Sequence, residues 1–301
     1  MAASRVRVIC GPTAAGKSAI AAMLALEYGA AIISADSRQI YRGFDIGTAK
    51  PEPSEQKTIE HVGIDIADPT ERFSASRWAA MAIEWIETHS RVSPLVTGGT
   101  GFYIRALFDP LFAAPEIDEQ RRTQLEHFLN PLPLSELRRW CTAIDPARAH
   151  LGRRQLVRAI EIAILTGNRI SDLHSTRKNA TTLAPAYLLV DPGSSLGERI
   201  ETRVDRMIEN GWLEEVRALD TRVPQTAPAW KASGYQVMRR VARGELDLSA
   251  ARERIIIETR QYAKRQRTWF RHQLDDAHVT RLDPDDPAAQ SLAQRWWKET
   301  S

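Results

Sequence analysis

Residues 11–18 read Gly11, Pro12, Thr13, Ala14, Ala15, Gly16, Lys17, Ser18, and this run constrains the fold more than any other stretch. It follows an apolar segment (Val6, Val8, Ile9, Cys10) and opens an alanine- and leucine-rich one from Ile20 to Tyr28. Strand, glycine loop and helix in that order make a phosphate-binding loop. The glycines let successive backbone N–H groups turn toward one anion at the positive end of the helix. Lys17 adds a mobile charge for a terminal phosphate, and the Ser18 hydroxyl is a ligand for Mg²⁺. The loop selects a diphosphate, whatever is attached to it. ATP is the default occupant by motif alone.

The pattern beyond the loop predicts alternating strands and helices: strands at 30–34 and 95–97, helices over 74–89 and 102–107. That alternation argues for a parallel sheet, whose ligands bind at the carboxyl ends of its strands. The loop, Asp36 and Thr100 each follow a predicted strand, so three polar features converge on one edge. From about Glu116 only helices are expected, over 118–129, 134–144 and 153–166, the last with Leu156, Ile160 and Ile164 as its apolar stripe and Gly167 as its cap. Strand character returns at 187–190, then helices over 196–219, 233–243 and 249–272; the tail carrying Trp296 and Trp297 gives no signal. The fold class expected is α/β, a P-loop NTPase-like parallel sheet core with an all-helical insertion domain. Residues 1–115 and 185–301 would form the core and 116–184 the insertion.

At 301 residues, 43% apolar and 26% charged, the chain has an ordinary globular composition. No apolar stretch approaches the roughly 20 residues of a membrane span, and no leader is expected ahead of the first strand. Two cysteines, Cys10 and Cys141, point to neither a disulfide framework nor a metal cluster, so a reducing cytoplasm is expected; a monomer is the expected state. The net charge of +3 is small, yet Arg252 to Arg271 holds seven Lys/Arg against two Glu. Arg260, Lys264, Arg267 and Arg271 fall on one helical stripe, either a solvated face or a polyanion footprint.

Most chains with this loop are nucleotide hydrolases or kinases, which hold Mg²⁺ with a second-strand Asp. Here the strand at 95–97 ends in Thr97-Gly98-Gly99, and the acid that directly follows a core strand is Asp36. Asp36 is open to three roles: orienting Mg²⁺, binding a ribose, or accepting a proton.

The stretch from Ser34 to Pro51 (SADSRQIYRGFDIGTAKP) resembles the signature of the tRNA dimethylallyltransferase, or tRNA prenyltransferase, family. So do Gly98–Tyr103 (GGTGFY), Arg153–Glu161 (RRQLVRAIE), Ala232–Gln236 (ASGYQ) and Thr259–Arg271 (TRQYAKRQRTWFR), in the same order. The resemblance implies that the loop holds dimethylallyl diphosphate with Mg²⁺. The five-carbon group would pass to the N6 amine of the adenosine on the 3′ side of a tRNA anticodon. Asp36 would then be the proton acceptor, with Lys17 and Arg203 neutralising the departing diphosphate. It also implies tRNA contacts from Asp36, Ser37, Arg38, Gln39, Thr100, Arg122, Arg154, Gln155, Arg158, Gly234, Tyr235, Arg260, Lys264 and Arg267. Gln155 departs from the family pattern, where many relatives carry arginine. Read without the resemblance, Arg203 is a surface arginine paired with Glu201 or Asp205. Competing readings are a prenyltransferase of free adenine nucleotides, a small-molecule kinase, and a non-catalytic RNA-binding module.

Overall fold

The computed structural model describes residues 4–89, 91–109, 117–175 and 183–300. Six strands, β1 Ser4–Cys10, β2 Ala30–Ser34, β3 His61–Val62, β4 Ser93–Gly98, β5 Leu183–Val190 and β6 Val279–Leu282, form one sheet in the order β3-β2-β4-β1-β5-β6. Every adjacent pair is parallel. The helices are α1 Lys17–Tyr28, α2 Pro53–Thr58, α3 Ala75–Thr88, α4 Gly101–Phe108, α5 Glu119–Leu129, α6 Leu134–Ile144, α7 Arg153–Thr166 and α8 Ile170–Ser175. After β5 come α9 Leu196–Glu209, α10 Trp212–Asp220, α11 Tyr235–Ala242, α12 Leu248–Gln273 and α13 Ala289–Glu299.

The chain divides into two compact units, one of residues 1–108 with 181–301 and one of residues 109–180. In the first, side chains alternate across the strands, so each strand feeds two cores. Ile9, Ile32, Leu95 and Leu188 pack with Ala21 and Leu24 of α1 and with Trp296 and Trp297 of α13. Tyr187 points the other way and meets Phe108 of α4 edge-on at 6.0 Å. On α3, Trp78 stacks on Tyr103 at 5.1 Å and donates its indole N–H to the Ser34 carbonyl at 2.8 Å. That bond fixes the end of β2 immediately before Asp36. In the second unit α5, α6, α7 and α8 close on Leu129, Leu137, Cys141, Leu156, Ile160 and Ile170.

Four features differ from the sequence reading. The expected helix over 196–219 is two, because Gly211 takes φ 91°, outside any helix. On α7, Ile164 is exposed, and Ala159 and Ile162 complete the apolar face in its place. The segment after Gly47 holds α2 and β3, both too short to leave a periodic signal. The tail is structural. Trp297 stacks on Tyr28 at 5.0 Å, and Arg7 of β1 lies over its ring at 4.2 Å while donating to the Trp297 carbonyl at 3.0 Å. Trp297→Ala is expected to cost about 3–5 kcal/mol in chemical denaturation; a loss below about 1 kcal/mol would mean the tail packs without holding the sheet.

Candidate active site

The loop leaves the end of β1 beside the end of β5. Gly11 has φ 143°, and a Cβ there would lie 2.1 Å from the Val190 carbonyl oxygen, so only glycine lets the two strands end side by side. The chain then turns into α1. Lys17 donates to the Pro12 carbonyl at 2.7 Å, folding its side chain back over the loop. Burial pulls the Lys17 ammonium down to about 8, and the Arg203 charge adds to this, with Asp36 and Cys10 opposing. Arg203 is likewise lowered by burial, with Asp36 again the leading opposing charge. Two cations and one carboxylate therefore share one poorly solvated space.

That space is a cavity of about 1200 Å³ within the first unit, lined by residues 13–18 of the loop, Ser34, Asp36, Gln39, Gly98, Gly99, Arg203 and Gln266 among others. Asp36 is held by its own turn: its Oδ1 accepts the Arg38 N–H at 2.8 Å. The next N–H, of Ser37, donates to the Thr100 hydroxyl at 3.1 Å, which ties the β2 end to the β4 end. Tyr262 of α12 contacts Thr100, and burial, followed by the Asp36 charge, pushes its phenol up to about 12. Gln39 accepts from the Ser34 hydroxyl at 2.9 Å and donates to the Ala49 carbonyl at 2.9 Å. The surface alternative for Arg203 fails, since Glu201 pairs with Arg260 and Asp205 with Arg252 at 2.5 Å.

Three supporting residues escaped the sequence reading. Gln266 of α12 accepts the Thr13 N–H and donates to the Gly99 carbonyl, each at 2.8 Å. A Cβ on Gly99 would lie 2.3 Å from the Gln266 amide nitrogen, so the bridge needs glycine there. Lys50, with a side chain only 4% exposed, holds the Tyr41 carbonyl, Asp45 and Asp65. Glu215 accepts the N–H groups of Asp45 and Ile46 at 2.9 and 2.7 Å. Gln266 and Lys50 stand inside the signature segments but carry no chemistry alone; Glu215 has no sequence signal.

The residues expected at an RNA surface divide. Asp36, Ser37, Arg38, Gln39 and Thr100 lie together at the strand ends. On α12, Lys264 is exposed, Arg260 is paired with Glu201, and Arg267 with Asp191 and the Gly193 carbonyl. In the second unit, Arg122 and Arg158 converge on the buried Glu161 at 3.5 and 3.3 Å. Burial raises that carboxyl, with Arg122 the main opposing charge. Arg154 is exposed, and Gln155 caps its own helix by accepting the Gly152 N–H at 3.3 Å. Gly234 and Tyr235, expected at the RNA surface, are buried. Tyr235 packs on Phe44 and Trp212 and donates to Glu215 at 2.6 Å, so it supports the 45–46 turn.

Two outcomes follow from this geometry. Gln266→Leu leaves the Thr13 N–H and the Gly99 carbonyl without a partner, which costs about 1–3 kcal/mol in denaturation and weakens pyrophosphate binding. A wild-type affinity would show that the bridge does not shape the loop. Lys17 attracts an anion as a cation only while protonated, so its contribution to pyrophosphate affinity holds below pH 8 and falls as pH rises past about 8. Calorimetry across pH 6.5–9.5 would show wild type losing its advantage over Lys17→Met above pH 8, the variant following the ionisation of pyrophosphate alone; parallel profiles contradict the assignment.

Comparison with known proteins identifies the lineage. The family model described as IPP transferase matches residues 39–273. A tRNA dimethylallyltransferase from Geobacter metallireducens is 41% identical over 281 residues, 89% of this chain and 90% of the relative. The solved tRNA isopentenylpyrophosphate transferase of Bacillus halodurans superposes with a TM-score of 0.68 at 34% identity, covering 99% of this chain and 96% of its own. A eukaryotic dimethylallyltransferase, solved acting on tRNA, gives a TM-score of 0.79 at 26% identity, covering 97% of this chain and 77% of its own. With a core of the parallel α/β kind seen in these enzymes and this extent of shared sequence, the chain belongs to the tRNA dimethylallyltransferase family.

Proposed function

We propose that this protein transfers a dimethylallyl group from dimethylallyl diphosphate to the N6 amine of the adenosine 3′-adjacent to the anticodon in tRNA, giving N6-isopentenyladenosine. The observation that carries the reading is one cavity lined at once by the phosphate loop, Lys17, Arg203 and Asp36. A diphosphate and a carboxylate acting on a second substrate both have a place in it. The family names its members for this transfer, and a neighbour is described as acting on tRNA.

The adenine amine is a poor nucleophile because its lone pair is delocalised into the ring. As its nitrogen bonds to the allylic carbon, the carbon–oxygen bond to diphosphate breaks and a proton leaves the nitrogen. Asp36, aimed by the Arg38 N–H, accepts that proton. Lys17, Arg203 and the loop N–H groups take up the charge growing on the diphosphate oxygens. Mg²⁺ fits the donors present. Ser18 offers a hard oxygen at the cavity wall, and among the described residues no cluster of three His, Cys, Asp or Glu offers a full protein cage. Its contribution when bound is further neutralisation of the diphosphate.

An adenosine in an anticodon loop is cheaper to extrude than one in a duplex, and its phosphates need basic partners. Arg38 and the exposed Lys264 supply these in the first unit and the exposed Arg154, beside Gln155, in the second, while Arg260, Arg267, Arg122 and Arg158 would engage RNA from side chains already paired with Glu201, Asp191 and Glu161. A free nucleotide would need neither set, and a kinase would be expected to carry an acid where β4 ends in Thr97-Gly98. Among the described residues no helix is long and apolar enough to cross a membrane. A monomer working in the cytoplasm completes the proposal. Asp36→Asn is expected to lower kcat by roughly 10²–10⁴-fold while the Kd for an anticodon stem-loop stays within a factor of about two. Unchanged turnover would remove Asp36 from the chemistry.

A further inference from the structure

The cavity wall carries a cation beyond Lys17 and Arg203. Arg199 lies one helical turn before Arg203 on α9, and both line the cavity. Its guanidinium is shared between two neighbours. Nη2 donates to Asp285 in an ion pair. Nη1 stands over the phosphate loop, 3.5 Å from where a Cβ on Gly16 would lie. Gly16 begins α1 and puts no side chain between the guanidinium and the loop. Asp285, in the turn between β6 and α13, is itself tied down. Its second oxygen accepts the Ser195 hydroxyl at 2.5 Å, and its N–H donates to Asp283 at 2.9 Å. Hydrogen bonds from Arg199 and Ser195 hold its carboxyl below the usual range.

We propose that Arg199 is a further binding group for the diphosphate, and that Asp285 is the positioning residue that limits how tightly Arg199 holds it. The inference rests on the function proposed above. Lys17 and Arg203 already gather on the diphosphate site, and a third uncompensated cation would retain the released pyrophosphate. Asp285 keeps the guanidinium aimed across the loop while its carboxylate repels the anion and draws off part of the Arg199 charge. An asparagine at 285 keeps one carbonyl oxygen to accept from Arg199 and turns its NH2 toward Ser195, whose hydroxyl can accept, so the charge is removed while both contacts can persist.

The test is calorimetric binding of inorganic pyrophosphate to the full chain, without RNA, alongside product inhibition in the transfer assay. Arg199→Ala raises the Kd about tenfold or more. Asp285→Asn lowers it about threefold and strengthens inhibition by pyrophosphate. The double variant binds like Arg199→Ala. Opposite signs for the two single variants are what a merely structural latch between α9 and the β6–α13 turn cannot give, since breaking it from either side would weaken binding. Three results overturn the proposal: an unchanged Kd in Arg199→Ala, weaker or equal binding in Asp285→Asn, or tightening by Asp285→Asn that persists without Arg199. Because pyrophosphate binding needs no acceptor, these readings stand apart from the RNA assignment. Absence of isopentenyladenosine with intact pyrophosphate binding would sink that assignment alone.

Discussion

The two hydrogen bonds of Gln266 join the parts on which everything else in the site depends. One reaches the Thr13 N–H in the phosphate loop and the other the Gly99 carbonyl after β4. The loop and the β4 turn come from opposite sides of the P-loop helix in sequence, yet a single buried amide from α12 sets their spacing. Gln266 is only 7% exposed, so neither bond is diluted by water. The Ser37–Thr100 bond and the Trp78–Ser34 bond extend the same stitching to β2, where Asp36 stands. The long helix α12 is thus part of the frame of the cavity as well as a carrier of basic residues.

Within that frame the charges are placed at the expense of solvation. Lys17 and Arg203 are both depressed by burial, and each is relieved in part by Asp36. An anion entering the loop restores what burial removed, so the site favours a multiply charged group over a neutral one.

Much of this was legible in the sequence because it rests on local patterns. The loop glycines, the apolar runs of β1, β2 and β4, and the period of α6 and α7 each follow from a few adjacent residues, and their placement at strand ends brought Asp36 and Thr100 to the loop. What escaped depends on partners far along the chain. Gln266 meets Thr13 across most of the sequence, Glu215 reaches back to Asp45, and Trp297 gains meaning only against Arg7. Tyr235, whose segment carries the family signature, packs under the 45–46 turn through Glu215, a contact that no local pattern announces. The break at Gly211 was missed because the apolar period runs on through it.

The central claim is that the loop holds a diphosphate leaving group while Asp36 relieves an adenine amine of its proton. The most direct measurement supplies the purified protein with dimethylallyl diphosphate labelled in the prenyl group, Mg²⁺, and either unmodified tRNA or AMP. The RNA is then digested to nucleosides, with a parallel reaction containing ATP labelled in its terminal phosphate. The account predicts prenyl label on N6 of one tRNA adenosine, little on AMP, and no phosphoryl transfer. Label absent from adenosine, with phosphate from ATP appearing on an acceptor, would contradict it.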